Sequence, residues 1–255
     1  MSSQRPDHDK RRLAAAPPQE PPLEVPLGGR AATTPYPDFD VASQGKWAFD
    51  WDEKTRRLVR DRVRNVPPYR FFSPREVELL EVLCARALPQ DDRLPQERVP
   101  IAPWIDERLH TGQGDGYRYA DMPDDHQAYR RGLVGFDQTA QILFQAHFVQ
   151  LDPAQQDEVM RRVADGSAPG EAWAHLPARR FFREFLNEVI SNYYAHPAAW
   201  AEIGFNGPAS PRGHIRLGLG KRDPWEAEET RPRSSVDLVR RAGSRGAHAA
   251  GGATH

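Results

Sequence analysis

Cysteine occurs once in this 255-residue chain, at Cys84. That scarcity excludes an intramolecular disulfide, a cysteine zinc site, an iron–sulfur cluster and the C-x-x-C-H attachment of a c-type haem. Any electron carrier associated with the chain is therefore expected on another polypeptide. An excess of either charge is also missing, since 35 Lys+Arg face 36 Asp+Glu with the signs interleaved, for a net charge of -1. No general field exists to hold a polyanion or an anionic membrane, so nucleic acid is not an expected partner. Nor does any stretch approach the roughly 20 consecutive apolar residues that span a bilayer. Lys10-Arg11-Arg12 followed by Leu13-Ala14-Ala15-Ala16 starts like a basic targeting region. Pro17 and Pro18 end it short of the roughly 7 to 15 apolar residues that an export signal requires.

What is present is irregularity at the ends and helical periodicity between them. With 24 Pro, 19 Gly and a hydrophobic fraction of 38%, the composition fits one helical domain with loose termini. Residues 1–45 are too poor in large apolar groups to offset the entropy of ordering and read as a disordered arm; residues 227–255 read as a disordered tail for the same reason. Between 46 and 70 a short hairpin and linker are expected. Lys46-Trp47-Ala48-Phe49-Asp50-Trp51 alternates aromatic with small or polar residues, and Asp52-Glu53-Lys54-Thr55 could turn the chain into Leu58-Val59. The arginines at 56, 57, 60, 62 and 64 would then lie on a solvated or partner-facing strand.

The domain proper, residues 71–226, reads as an all-α bundle of about five helices ending in a long Gly/Pro-rich excursion. Ser73-Pro74-Arg75-Glu76 opens the first helix: Ser as N-cap, Pro at the first helical position and Glu closing a capping box. Val77, Leu80, Cys84 and Leu88, broadened by Leu79 and Leu83, form its inward stripe until Pro89. A short helix over about Pro103 to His110 buries Trp104, Ile105 and Leu109 before the glycines from 112 to 116. Tyr129, Leu133, Phe136, Ala140, Leu143 and His147 fall at steps of four and three, predicting a central helix from about Asp125 to Val149. Asp152-Pro153 starts a helix that Gly166 ends. The last, from about Ala178 to Tyr194, carries Phe181, Phe182, Phe185, Leu186, Val189, Ile190, Tyr193 and Tyr194, a stripe wider than one packing contact requires.

Candidates for chemistry are sparse. Glu107 and His110 form a Glu-x-x-His pair, which in a bundle is half of a carboxylate-bridged di-iron site, but no second pair follows, and Glu171 and His175 have the wrong spacing. A metalloenzyme using Glu107, His110 and His147 is the alternative reading; a core, hydrogen-bonded His147 is the plainer one. Gly218-Leu219-Gly220 lacks a third glycine, and Gly112, Gly114 and Gly116 lead into no helix N-terminus that could hold a phosphate. Cys84, among apolar neighbours, reads as a buried inert thiol. The remaining feature is the aromatic and turn-rich run from Phe181 to Trp225. Phe182, Tyr193, Tyr194, His196, Trp200, Phe205, Arg212, His214 and Trp225 are its candidate partner-interface residues, because aromatic, Arg and His side chains on a turn-rigid backbone are what binding hot spots use. A loop that only covers the chain's own core is the other reading of the same run.

Phe72-Ser73-Pro74-x-Glu76, Tyr129-x-x-Gly132-Leu133-x-x-Phe136-Asp137 and, most densely, Phe181 to Trp225 resemble the small subunit (subunit 3, or gamma) of gluconate 2-dehydrogenase. The resemblance implies a non-catalytic accessory subunit that binds and stabilises a large FAD-dependent subunit of the glucose-methanol-choline type, which oxidises a sugar, sugar acid or polyol. It implies FAD on the partner and no cofactor in this chain; in some complexes of the family a cytochrome c subunit takes the electrons. Many small subunits bring a twin-arginine export signal, and Lys10-Arg11-Arg12 lacks the apolar region behind it. A cytoplasmic complex is therefore expected, or a periplasmic one if the partner carries the signal. A scaffold unrelated to redox chemistry remains a further alternative.

Overall fold

A computed structural model describes residues 51–114, 116, 119–205, 207–209 and 213. Seven α-helices lie among them: α1 Glu53–Arg64, α2 Pro74–Ala87, α3 Ala102–Thr111, α4 Asp125–Phe144, α5 Pro153–Asp165, α6 Ala178–Ala195 and α7 Pro197–Trp200. Short 3-10 turns at Pro95–Glu97, Phe148–Gln150 and Glu171–His175 connect them. No strand occurs among the described residues, and no helix there is long and apolar enough to cross a membrane. The terminal arm and tail read from the sequence lie outside the described residues.

Where the sequence carries cap chemistry, the helices begin and end as read. Ser73 accepts from the Glu76 amide and Glu76 reaches back to the Ser73 amide, closing the capping box of α2. Asp152 and Gln155 do the same for α5, which ends on left-handed Gly166.

The expected hairpin is replaced by α1. Asp52 accepts from the Thr55 amide at 2.7 Å, so the four residues read as a turn are a helix N-cap and its first turn. Straight-chain Glu, Lys and Arg favour the helix, and spaced pairs such as Arg57 with Asp61 add to it. Val59 is its buried residue, and Leu58 points to solvent. Residues 46–50, the other half of the expected hairpin, lie outside the described residues.

α4 also departs from its expected length. It stops at Phe144, where Gln145 turns left-handed with φ 55°. The periodicity that ran on to His147 ends because Asp137 captures the chain: its carboxyl accepts from the Phe148 amide at 3.0 Å and bonds His147 Nδ1 at 2.8 Å. Phe148 is buried instead, 6.0 Å from the Phe136 ring. His147, expected in the core, is exposed.

The core is aromatic where α4 meets α6. Phe136 sits among Phe148, Trp173, Phe181, Phe182 and Phe185. Gly132 allows this approach, since a Cβ there would lie 2.8 Å from Phe181 Cε2 and closer still to Cζ. One step of the Tyr129-x-x-Gly132 pattern is thus explained by packing: two helices meet where a side chain is missing.

Candidate partner interface

The end of α6 and the chain after it form the region singled out in the sequence, and burial divides its candidate residues. Tyr193, His196 and Trp200 are buried in the chain's own fold, with Trp200 only 4% exposed. Phe182 and Tyr194 are half-buried against the core, and Phe205 is 45% exposed. Arg212, His214 and Trp225 lie outside the described residues. The three buried side chains therefore offer no free surface; they support the residues after α7 from beneath.

Trp200 is held from several sides. Its indole N–H donates to the Tyr194 carbonyl at 2.9 Å. The Trp51 ring meets it edge to face at 6.4 Å and Phe205 does so at 5.2 Å. Trp51 in turn donates to the Pro208 carbonyl at 2.8 Å, joining the start of α1 to the chain beyond α7. Gly207 closes this contact with φ +84°; a Cβ there would come 2.9 Å from Trp200 Cζ3 and closer still to Trp51 Cζ2. Only glycine fits both the conformation and the space. On this base Ile203, 46% exposed, and Phe205 present apolar surface.

Two further groups fix the same corner. Arg93 reaches from the loop after α2 to Glu202, with Nη2 2.5 Å from Oε1 and 3.0 Å from the Ala198 carbonyl. Tyr193 also donates to Glu202 at 2.6 Å. The Arg93 side chain is 1% exposed, and its Nε and Nη1 have no hydrogen-bond partner among the described residues. A buried guanidinium of this kind depends on its carboxylate, because removing one partner leaves an uncompensated charge. His196 caps α7: its Nδ1 accepts from the Ala198 amide at 3.2 Å. Burial, with Arg93 and Arg62 nearby, pushes His196 down to about 4. It is a neutral ring with its proton on Nε2, as the accepted bond requires.

Polar groups elsewhere in the core serve the fold. Asp106 is fully buried and accepts from the amides of Arg70 at 2.6 Å, Phe71 at 3.1 Å and Phe72 at 2.9 Å, clipping the segment before α2 onto α3. Glu188 on α6 accepts from Tyr129 and from Arg108, whose Nη1 also reaches Asp125 at 2.5 Å. Burial first, then the Glu188 charge, holds the Tyr129 phenol well above its usual range. Cys84 is a buried free thiol pushed up by burial and by Glu81 and Glu188, so it stays protonated at neutral pH.

The residues of the metal reading are dispersed into local contacts. Glu107 pairs with Arg70, His110 is exposed, and His147 faces Asp137 and Gln141. Among the described residues no group of three or more His, Cys, Asp and Glu side chains could hold a metal ion. Gly112 ends α3 in the left-handed conformation, so the first of the loop glycines stands at the negative end of a helix dipole.

Arg93, Glu202, Trp51 and Gly207 escape sequence reasoning. Arg93 sits in an aperiodic loop and Gly207 among many glycines, so neither carries a local pattern. The cap residues at positions 52 and 55 could have revealed α1, and with it the place of Trp51.

Residues 74–207, more than half of the chain, match the family described as gluconate 2-dehydrogenase subunit 3. No curated protein and no solved structure matches significantly. The matched segment opens at the capping box of α2 and closes on the glycine between the two tryptophans: the chain belongs to the gluconate 2-dehydrogenase subunit 3 family.

Proposed function

We propose that this chain is the non-catalytic small subunit of a flavin-dependent dehydrogenase of the glucose-methanol-choline type, acting on a sugar, sugar acid or polyol. The observation that carries this reading is the family match itself, since the family is named as a subunit of gluconate 2-dehydrogenase. In this reading FAD resides on the large subunit, and a cytochrome c subunit is a further partner in complexes that pass electrons to one. The complex is cytoplasmic unless the large subunit supplies an export signal.

Support also comes from how the chain uses its polar groups. Asp106 is occupied by three backbone amides, Glu188 by Tyr129 and Arg108, and Arg93 by Glu202. These bonds tie the segment before α2 to α3, join α3, α4 and α6 to one another, and hold the loop after α2 to the residues after α7. Ile203 and Phe205, exposed on a buried tryptophan base, are apolar anchors of the type that protein interfaces bury. The interface proposed comprises Phe182, Tyr194, Ile203 and Phe205 among the described residues, with Arg212, His214 and Trp225 beyond them. Tyr193, His196 and Trp200 support it from beneath.

Co-expression with a glucose-methanol-choline-type flavoprotein from the same organism tests the reading. A stable complex is expected, with the flavoprotein less soluble or less active when made alone. Separate elution, with the flavoprotein equally soluble and active by itself, would overturn it.

A further inference from the structure

Away from the tryptophan corner, a groove of about 550 Å³ runs along the first half of α6. Its floor is apolar, made by Ala164 at the end of α5, by Pro177 and by Phe182 and Leu186. Arg179, Arg180 and Arg183 line it with Asp121, three cations against one anion. Asp121 is occupied by Arg180 at 2.9 Å, and that guanidinium also lies 4.2 Å over the Tyr119 ring. Arg183 donates to the Tyr119 hydroxyl at 3.0 Å and lies 3.4 Å from Glu184, yet its side chain is 58% exposed. Arg179 is exposed and has no ion-pair partner among the described residues.

Arg179 and Arg183 are one helical turn apart, with Phe182 and Leu186 on the same side of α6. The i,i+4 spacing puts their Cβ atoms about 6 Å apart on one face, with an apolar strip beside them. A lone inorganic anion would leave that strip uncovered. A purely apolar segment would leave the guanidinium groups facing an unmatched surface. From this face Ile190 and Tyr194 continue along α6 toward Ile203 and Phe205, so one partner could follow the helix from groove to tryptophan corner.

We propose that this groove is a docking site for an acidic amphipathic segment of the large subunit. In that segment apolar side chains fill the floor, and two carboxylates one turn apart meet Arg179 and Arg183. The proposal rests on the subunit reading above and adds a second contact to it. Opposite charges on such a rim are expected to speed association and to make it salt-sensitive, while the apolar floor slows dissociation.

The test uses the full chain and a glucose-methanol-choline-type flavoprotein from the same organism, with binding measured at low and at moderate salt. Arg179→Glu with Arg183→Glu should weaken binding by at least about tenfold and remove most of its salt dependence. The variant chain alone should melt close to the unaltered chain, because both side chains are exposed. Arg179→Gln, which breaks no ion pair among the described residues, should weaken binding in the same direction and serves if the double variant fails to fold. If the unaltered chain binds the flavoprotein and neither variant changes affinity, the groove proposal is wrong while the subunit reading stands. If the unaltered chain does not bind the flavoprotein, both fall. If the isolated chain self-associates and the double variant abolishes that, the occupant is a second copy and the proposal is overturned.

Discussion

Lowering the pH should loosen the tryptophan corner through one residue, His196. The ring is 7% exposed, accepts the Ala198 amide on Nδ1 and stands near Arg93 and Arg62. A proton on Nδ1 would destroy the cap and add a third positive charge to a buried site. In the unfolded chain the ring takes up its proton near 6.5, and in the folded chain only at about 4. Between those values the unfolded state binds more protons, so stability falls as pH falls, beginning just below neutrality and complete near pH 4. At 1.36 kcal/mol per pH unit the whole loss is about 3 kcal/mol, of which about 2 kcal/mol is reached by pH 5. Carboxyl groups titrate in the lower part of this range, so the comparison is with His196→Asn, which can still cap a helix but does not ionise. Urea unfolding at pH 7 and pH 5, followed by tryptophan fluorescence, should show the unaltered chain losing about 2 kcal/mol more than the variant across that interval. Equal losses, or an NMR titration of His196 near 6.5 in the folded protein, would refute the reasoning.

Three further outcomes are expected. Asp106→Ala should cost about 3 to 5 kcal/mol in urea unfolding, because three backbone amides lose a buried acceptor together; a loss under about 1 kcal/mol would mean that water replaces the carboxyl. Gly207→Ala should cost about 2 to 3 kcal/mol, combining a strained left-handed backbone with ring overlap, and should increase solvent access to Trp51 and Trp200 as measured by fluorescence quenching. Cys84 should stay unreactive toward a thiol reagent in the native chain and react at once in denaturant; rapid labelling under native conditions would contradict its burial.

The helical bundle was legible where sequence and local physics agree. Ser73-Pro74 with Glu76, Asp152-Pro153 and Gly166 act within one or two turns, so the chain announces these boundaries itself. The alternating aromatics before residue 52 suggest a strand, yet the Asp52 cap and the helix-forming charges after it make α1 a helix. The periodicity of α4 extends in sequence to His147, past the point where Asp137 and Gln145 bend the chain. Burial of Tyr193, His196 and Trp200 could not be read locally, since it depends on Trp51, nearly 150 residues away, and on Arg93. Aromatic content in the run from Phe181 onward does not by itself separate buried side chains such as Tyr193 and Trp200 from exposed ones such as Phe205.

The proposal that this chain holds a flavoprotein is tested most directly by size-exclusion chromatography of the co-expressed pair with detection of flavin absorbance. One peak that contains both chains and the flavin is expected, and Phe205→Asp should abolish it while circular dichroism of the variant chain alone shows its helices retained. Flavin eluting with the large subunit alone, and this chain eluting free of it, would overturn the proposed role.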